Sequence, residues 1–195
     1  MISIIIPIFN EEDNLNKLSD LILETLKDIK YEVLFINDGS TDNSEEKLIN
    51  ITKKYNNFYL INLRRNYGQT AAMQAGFDNA KGEIIIPMDG DLQNDPADIP
   101  KLIKKIEEGY DVVSGWRKNR LDKKLTRIIP SQIANYIISR ISGIHLHDYG
   151  CTLKAYKKEV LSEIKLYGEM HRFIPIYASW EGAKVTEVIV NHNAR

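Results

Sequence analysis

Asp89 and Asp91 place two carboxylates one small residue apart, directly after the apolar run Glu83-Ile84-Ile85-Ile86-Pro87-Met88. The loop continues Leu92-Gln93-Asn94-Asp95-Pro96. β-Branched residues stiffen such a strand, so its end presents both acids at a fixed position. Oxygen donors held this way suit a hard divalent cation, and such a cation can neutralise a diphosphate. Asp-x-Asp alone is also a common solvated turn, so its meaning depends on what accompanies it. Asn37-Asp38-Gly39-Ser40-Thr41-Asp42 has the composition of a turn. It also sets Asp38 where a strand end can hydrogen-bond a ribose or base. The backbone of Pro7 to Glu12 can line a nucleoside, while Asn10 taken singly reads as a cap of the first helix.

The elements that must hold these residues alternate. Ile2 to Phe9 is a continuous apolar run, as in a parallel strand covered on both faces. Leu15, Leu18, Leu21, Ile22 and Leu26 recur at helical spacing. Glu32–Ile36, Phe58–Leu63, Glu83–Met88 and Tyr110–Ser114 read as further strands. The helices between them run from Asp42 or Ser44 to about Tyr55, from Gln69 to Ala80, and from Pro96 to about Glu108. Repeated βα units predict a mostly parallel sheet between helical layers, with ligands outside the carboxyl ends of its strands. Four polar clusters fall at those ends: Asn10-Glu11-Glu12, Asn37 to Ser40, Arg64 to Gly68, and the Asp89 loop.

The second half is less regular. Trp116 to Arg127 holds six Lys or Arg against one acid, Asp122. Leu121, Leu125, Ile128, Ile133, Ile137 and Ile141 trace one helical face, interrupted at Pro130. Asp148 to Tyr156 is read as leading into a short helix, Met170 to Trp180 as helical, and Lys184 to Val190 as a late strand. His145 and His147 lack a third His or a Cys at zinc spacing and read as turn residues. Cys151 reads as a packing residue, and Trp116 and Trp180 as core or rim.

The 195 residues suffice for one domain with a substantial core. A net charge of −1 argues against a polyanion partner, so no nucleic acid is expected. The single cysteine forbids an internal disulfide and fits a reducing compartment. Met1 leads straight into strand-like sequence, and no apolar run approaches the ~20 residues of a membrane span. The sequence specifies no oligomeric state.

The ordered set Ile6-Pro7-Ile8-Phe9-Asn10-Glu11-Glu12, Asn37 to Asp42 and Asp89-Gly90-Asp91-Leu92-Gln93 resembles the family 2 glycosyltransferases. Arg65-Asn66-Tyr67-Gly68-Gln69-Thr70-Ala71-Ala72 and Asp148-Tyr149-Gly150-Cys151-Thr152-Leu153-Lys154-Ala155-Tyr156 are similar to the polyprenyl-phosphate sugar transferases within that family, of which dolichol-phosphate mannose synthase is an example. The resemblance implies an α/β fold of GT-A type, a Rossmann-like three-layer sandwich with a mostly parallel central sheet. It implies a single catalytic domain over 1–195, with 1–115 binding a nucleotide-sugar and 116–195 an acceptor, and a C-terminal membrane part absent from this sequence. The activity implied is inverting transfer of a hexose from a nucleotide diphosphate sugar, UDP in preference to GDP, to an undecaprenyl or dolichyl phosphate. A peripheral position at the cytoplasmic face of the membrane follows.

Residue roles follow from the same resemblance. Asp89, Asp91 and Gln93 would surround Mg²⁺ or Mn²⁺, with Asp91 also counted as catalytic. Pro7, Asn10, Glu12, Asp38, Gly68, Gln69, Asp89 and Gly90 would contact the donor. Asn37 stands where the family often has a second Asp. Asp148 would face the acceptor as base or positioning group, or else cap the turn before Gly150. Arg117, Arg127 and Arg172 would meet the acceptor phosphate, and His171-Arg172 would otherwise cap the late helix. Arg117, Arg120, Lys123, Lys124 and Arg127 can bind anionic headgroups at about 1 kcal/mol each, or form a solvated helix face. A transferase with a soluble acceptor and a non-catalytic nucleotide-sugar-binding domain are the alternatives.

Overall fold

β1 (Ile2–Ile8) is buried along its length, and its side chains alternate between two cores. Ile4, Ile6 and Ile8 enter one and Ile5 the other, as the two-residue period of a strand requires. The computed structural model describes residues 1–118, 129–162 and 164–194. After β1 come α1 (Leu15–Thr25), β2 (Tyr31–Asn37), α2 (Ser44–Lys54), β3 (Phe58–Asn62), α3 (Gln69–Asn79), β4 (Ile84–Pro87), α4 (Ile99–Glu107) and β5 (Val112–Trp116). The remainder is α5 (Ile129–Ser142), β6 (Lys154–Lys157), α6 (Lys158–Ser162), α7 (Ile174–Trp180) and β7 (Val185–Ile189).

The described strands form one sheet in the order β3-β2-β1-β4-β6-β5-β7. Leu15, Leu18 and Ile22 of α1, Leu48 of α2 and Leu102 and Ile106 of α4 cover one face. Met73 and Phe77 of α3 and Ile174 and Ala178 of α7 cover the other. The result is the three-layer, mostly parallel architecture expected from the βα repeats. α3 approaches β1 so closely that a Cβ on Gly76 would fall 2.1 Å from Ile5 Cγ2, which is why that helix face carries no side chain there.

Parallel register brings the functional loops level. Ile8 of β1 lies beside Asn37 of β2, and Asn37 beside Asn62 of β3. Ile5 pairs with Pro87 of β4. Three residues further along both strands, Gly90 therefore arrives next to Ile8, and a Cβ there would lie 2.5 Å from Ile8 Cδ1.

Asp148 to Tyr156 leads into a short helix as expected, but the sequence pattern did not show the strand before that helix. A strand, β6, precedes the short helix α6, and it runs antiparallel to β4 on one side and β5 on the other. Four residues are too few to show an alternating pattern, and the buried lysine at its start disguises it further. β5 also begins two residues later than its apolar pattern predicts. Pro130 lies in the first turn of α5, where its missing N–H costs nothing. Residues 121–128 of the expected apolar face lie outside the described residues, while Ile137 and Ile141 of that face are exposed.

Candidate active site

A cleft of ≈ 280 Å³ opens at the carboxyl edge of the sheet, above β1, β2 and β4. Pro7, Asp38, Gly68, Gln69, Asp89, Gly90 and Asp91, all expected at a site, line it. Phe9, Glu11 and Asn66 line it as well. Glu11 and Asn66 belong to polar stretches noted in the sequence, but nothing in residue type distinguished them from their neighbours.

Asp38 is buried, and both its oxygens are engaged. They accept from the amides of Tyr67 (2.7 Å) and Gly68 (2.8 Å), so the acid shapes the loop that forms the opposite wall. Gly39 makes this closure possible. Its φ is +69°, and a Cβ would sit 2.5 Å from the carbonyl carbon of Arg65. Asn37 donates to Asn62 Oδ1 (3.0 Å) and accepts from the Ser40 amide (3.0 Å), which fixes the same turn.

Asn10 does not cap α1. Its side-chain oxygen accepts from the Thr41 amide at 2.8 Å, with its own backbone at φ 56°. Asn14 precedes α1 instead, without a side-chain cap. Glu12 likewise turns to the neighbouring loop and accepts from the Asn43 amide at 2.9 Å. Asn10 and Glu12 thus tie the β1 and β2 loops together and are not cleft walls. These contacts span about 30 residues and leave no local sequence signature.

Asp89 accepts from Gln69 Nε2 at 2.8 Å, and its amide donates to the buried Asn94 side chain at 2.9 Å. Burial raises its pKa. The Asp91 charge adds to this, while hydrogen bonds from Thr152 and Gln69 and the charge of Arg117 oppose it. Asp91 accepts from the Gln93 amide at 3.1 Å; Gln93 itself is not among the cleft-lining residues. Among the described residues no group of three or more His, Cys, Asp or Glu is arranged around a common cation position. Two adjacent carboxylates nonetheless fit Mg²⁺, which keeps several waters and binds through one or two carboxylates plus substrate phosphates.

The acceptor-side candidates converge only in part. Arg117 and Asp148 form a two-pronged pair, Nε to Oδ2 at 2.7 Å and Nη2 to Oδ1 at 3.0 Å, with both side chains nearly buried. Burial works against the guanidinium charge, but the Asp148 hydrogen bonds outweigh it and raise the Arg117 pKa further. Asp148 Oδ1 also accepts from the Gly150 amide at 3.1 Å, the turn cap foreseen for it. Arg172 instead pairs with Glu169 at 3.2 Å on an exposed surface. His171 and Arg172 do not cap α7; they lie in a 3₁₀ turn, and buried His171 meets Thr70 Oγ1 through Nδ1 at 2.6 Å. Arg127, with Arg120, Lys123 and Lys124, lies outside the described residues. His147 stacks on Trp116 with ring centroids 4.0 Å apart and pairs with Glu187. Cys151 is a buried free thiol whose pKa burial pushes up to about 11, in keeping with a packing role.

Residues 3–165 match the family model of glycosyl transferase family 2. The chain belongs to this family. A dodecaprenyl-phosphate galacturonate synthase of Rhizobium johnstonii is 44% identical over 203 residues, covering all of this chain and 59% of that protein. An undecaprenyl-phosphate 4-deoxy-4-formamido-L-arabinose transferase of Photorhabdus laumondii is 41% identical over 197 residues, covering all of this chain and 60% of that protein. The chain thus spans about three-fifths of the length of these curated relatives. Glucosyl-3-phosphoglycerate synthase from Mycobacterium tuberculosis, solved with Mn²⁺, UDP and phosphoglyceric acid, superposes with a TM-score of 0.78 at 17% identity, over all of this chain and 71% of that one. The fold is therefore the GT-A arrangement the sequence resemblance implied. Among the described residues no helix is long and apolar enough to cross a membrane.

Proposed function

We propose that this family 2 member is the catalytic domain of an inverting glycosyltransferase that moves a hexose from a nucleotide diphosphate sugar to a polyprenyl phosphate. The observation that carries the reading is the pair Asp89 and Asp91 in one cleft wall, facing the loop that Asp38 holds. The names of the similar transferases, dodecaprenyl- and undecaprenyl-phosphate enzymes, support the acceptor class. Residues 1–115 bind the donor, a UDP-sugar in preference to a GDP-sugar, and 116–195 bind the acceptor.

An acceptor phosphate oxygen attacks the anomeric carbon from the side opposite the diphosphate. The new C–O bond forms as the old one breaks, and the nucleoside diphosphate departs with the electron pair. Mg²⁺ or Mn²⁺ held by Asp89 and Asp91, with Gln93 nearby, would supply positive charge where the leaving group gains negative charge. Pro7, Gly68, Gln69 and Gly90 orient the donor, and Asn10 and Glu12 act on it through the loops they tie.

The acceptor needs little deprotonation near neutrality, since the second pKa of a phosphate monoester is about 6. Asp148, with both oxygens on Arg117, acts as an orienting group for that guanidinium rather than as a base. Arg117 is the first choice for the acceptor phosphate, with Arg127 and Arg172 as further contacts. Exposed Tyr136, Ile137 and Ile141 on α5 follow the basic stretch, which favours a peripheral position at the cytoplasmic membrane face.

One radiolabelled UDP-sugar offered to polyprenyl phosphate and to soluble sugars with Mn²⁺ tests the reading. Label is expected in the lipid fraction. Transfer to soluble acceptors alone, or donor binding without any transfer, overturns it. A thermal-shift series of UDP- and GDP-sugars ranks the donors, because saturation at about 100 times Kd stabilises by roughly 2.7 kcal/mol.

A further inference from the structure

Lys154 opens β6 opposite Ser114 of β5, and its side chain is buried. Its ammonium donates to two backbone carbonyls, Tyr149 at 3.1 Å and Cys151. Those two residues flank Gly150 in the turn between Asp148 and Thr152. Asp148 grips Arg117 on the acceptor side, and Thr152 hydrogen-bonds Asp89 on the donor side. One buried cation therefore sits under the turn that touches both halves of the site.

A buried ammonium is costly unless compensated. Burial lowers the Lys154 pKa and the Arg117 charge adds to this, while the charges of Asp148 and Asp89 favour the ammonium and carbonyl dipoles take up its donors. Neutral apolar packing would fill the same space at lower cost, as it does for neighbouring Leu153 and Ala155. Holding a turn through two of its carbonyls is something an apolar side chain cannot do.

We propose that Lys154 is a positioning residue that braces the 148–152 turn and so sets Arg117 and Asp89 relative to one another, coupling the acceptor phosphate site to the cation site. This rests on the transferase reading above. It assigns to one lysine an effect on both substrates, although its hydrogen bonds go only to backbone.

The test compares K154M with D148N and T152V in steady-state transfer from UDP-sugar to polyprenyl phosphate, measuring the acceptor KM and the Mn²⁺ activation constant separately. D148N should raise chiefly the acceptor KM and T152V chiefly the Mn²⁺ constant. K154M should raise both, each by about tenfold, the scale of one charge-assisted hydrogen bond. K154M with both constants within twofold of wild type, or with kcat alone lowered, overturns the proposal. K154Q, which keeps two donors without the charge, replaces K154M if circular dichroism shows that variant unfolded. If neither folds, Lys154 serves the fold alone and the proposal falls. Wild-type protein that binds Mn²⁺ and UDP but transfers to no lipid overturns the function reading instead. In that case weakened Mn²⁺·UDP binding by K154M in calorimetry supports the brace, and unchanged binding overturns it.

Discussion

Acids sit at both ends of this sheet, Glu32 buried and Asp89 half-buried, with different partners. At the amino edge, Glu32 accepts from Ser3 Oγ at 2.6 Å and from the Lys81 amide at 2.6 Å, and Ser3 Oγ in turn accepts from the Gly82 amide at 2.7 Å. The charge is answered by the chain's own donors, and the ring fixes the turn into β4. At the carboxyl edge Asp89 stands beside a second acid, Asp91, in a cleft wall, and burial raises its pKa. An acid beside another acid in an open cleft is poised for a cation from outside. A polar group thus reads as structure when the fold satisfies it within a closed ring, and as a site when it stands beside a like charge in an open cleft, even with some partners of its own.

The largest effect should come from the acids of the cleft. Asp89→Ala and Asp91→Ala are each expected to lower kcat at least about a thousandfold, the upper range for losing a group that stabilises developing charge. EDTA should reproduce the loss in the wild type, and Mn²⁺ should reverse it. Full activity in either variant breaks the contrast between the two edges. Asp38→Ala comes next. It frees two amides that a carboxylate now holds, so donor KM should rise about 10- to 100-fold, the scale of charge-assisted hydrogen bonds. Unchanged donor KM would mean that the 64–68 loop keeps its shape without Asp38.

Much of the first half of the chain was legible because its strands are long, apolar and followed by polar clusters. Ile2–Ile8, Tyr31–Asn37 and Phe58–Asn62 fall within two residues of the apolar pattern. Parallel register then does what the pattern implies and sets those clusters side by side. The second half was harder for a physical reason. β6 is antiparallel, so its beginning, not its end, lies at the functional edge. That reversal delivers Asp148, Thr152 and Lys154 beside Asp89 and Arg117, and no spacing rule for βα units anticipates it. The loop-tying hydrogen bonds of Asn10 and Glu12 were not foreseen, and the α1 cap expected of Asn10 was wrong, because their partners, Thr41 and Asn43, lie about 30 residues away.

A change at the amino edge should show in stability and not in rate. Glu32→Gln keeps the shape and an oxygen for both hydrogen bonds, which reach the same Oε1, but removes the charge that strengthens them. The expected cost is ~1–3 kcal/mol. For a domain of this size each kcal/mol lowers Tm by about 2–4 °C. Calorimetric melting measures the loss, while kcat and both KM values should stay at wild-type levels. A fall in kcat beyond the loss of folded protein would show that the two edges communicate.

The smallest effects separate the edges by pH. At the carboxyl side, burial pushes the His171 pKa down to about 4, so the ring is neutral where it meets Thr70. A depressed folded value contributes stability above the ordinary His value of about 6.5, and that contribution is lost as pH falls towards 4. At the amino side, burial alone would raise the pKa of Asp111. Its hydrogen bonds with Lys157 and the Lys184 amide prevail and lower it. Its contribution is complete above the ordinary carboxylate range and is lost only as pH falls through the lowered value. Tm measured from pH 7 downward should therefore decline in two limbs, with His171→Gln removing the upper and Asp111→Asn the lower. If Asp111→Asn flattens the upper limb, or His171→Gln leaves it intact, this assignment of the two titrations is wrong.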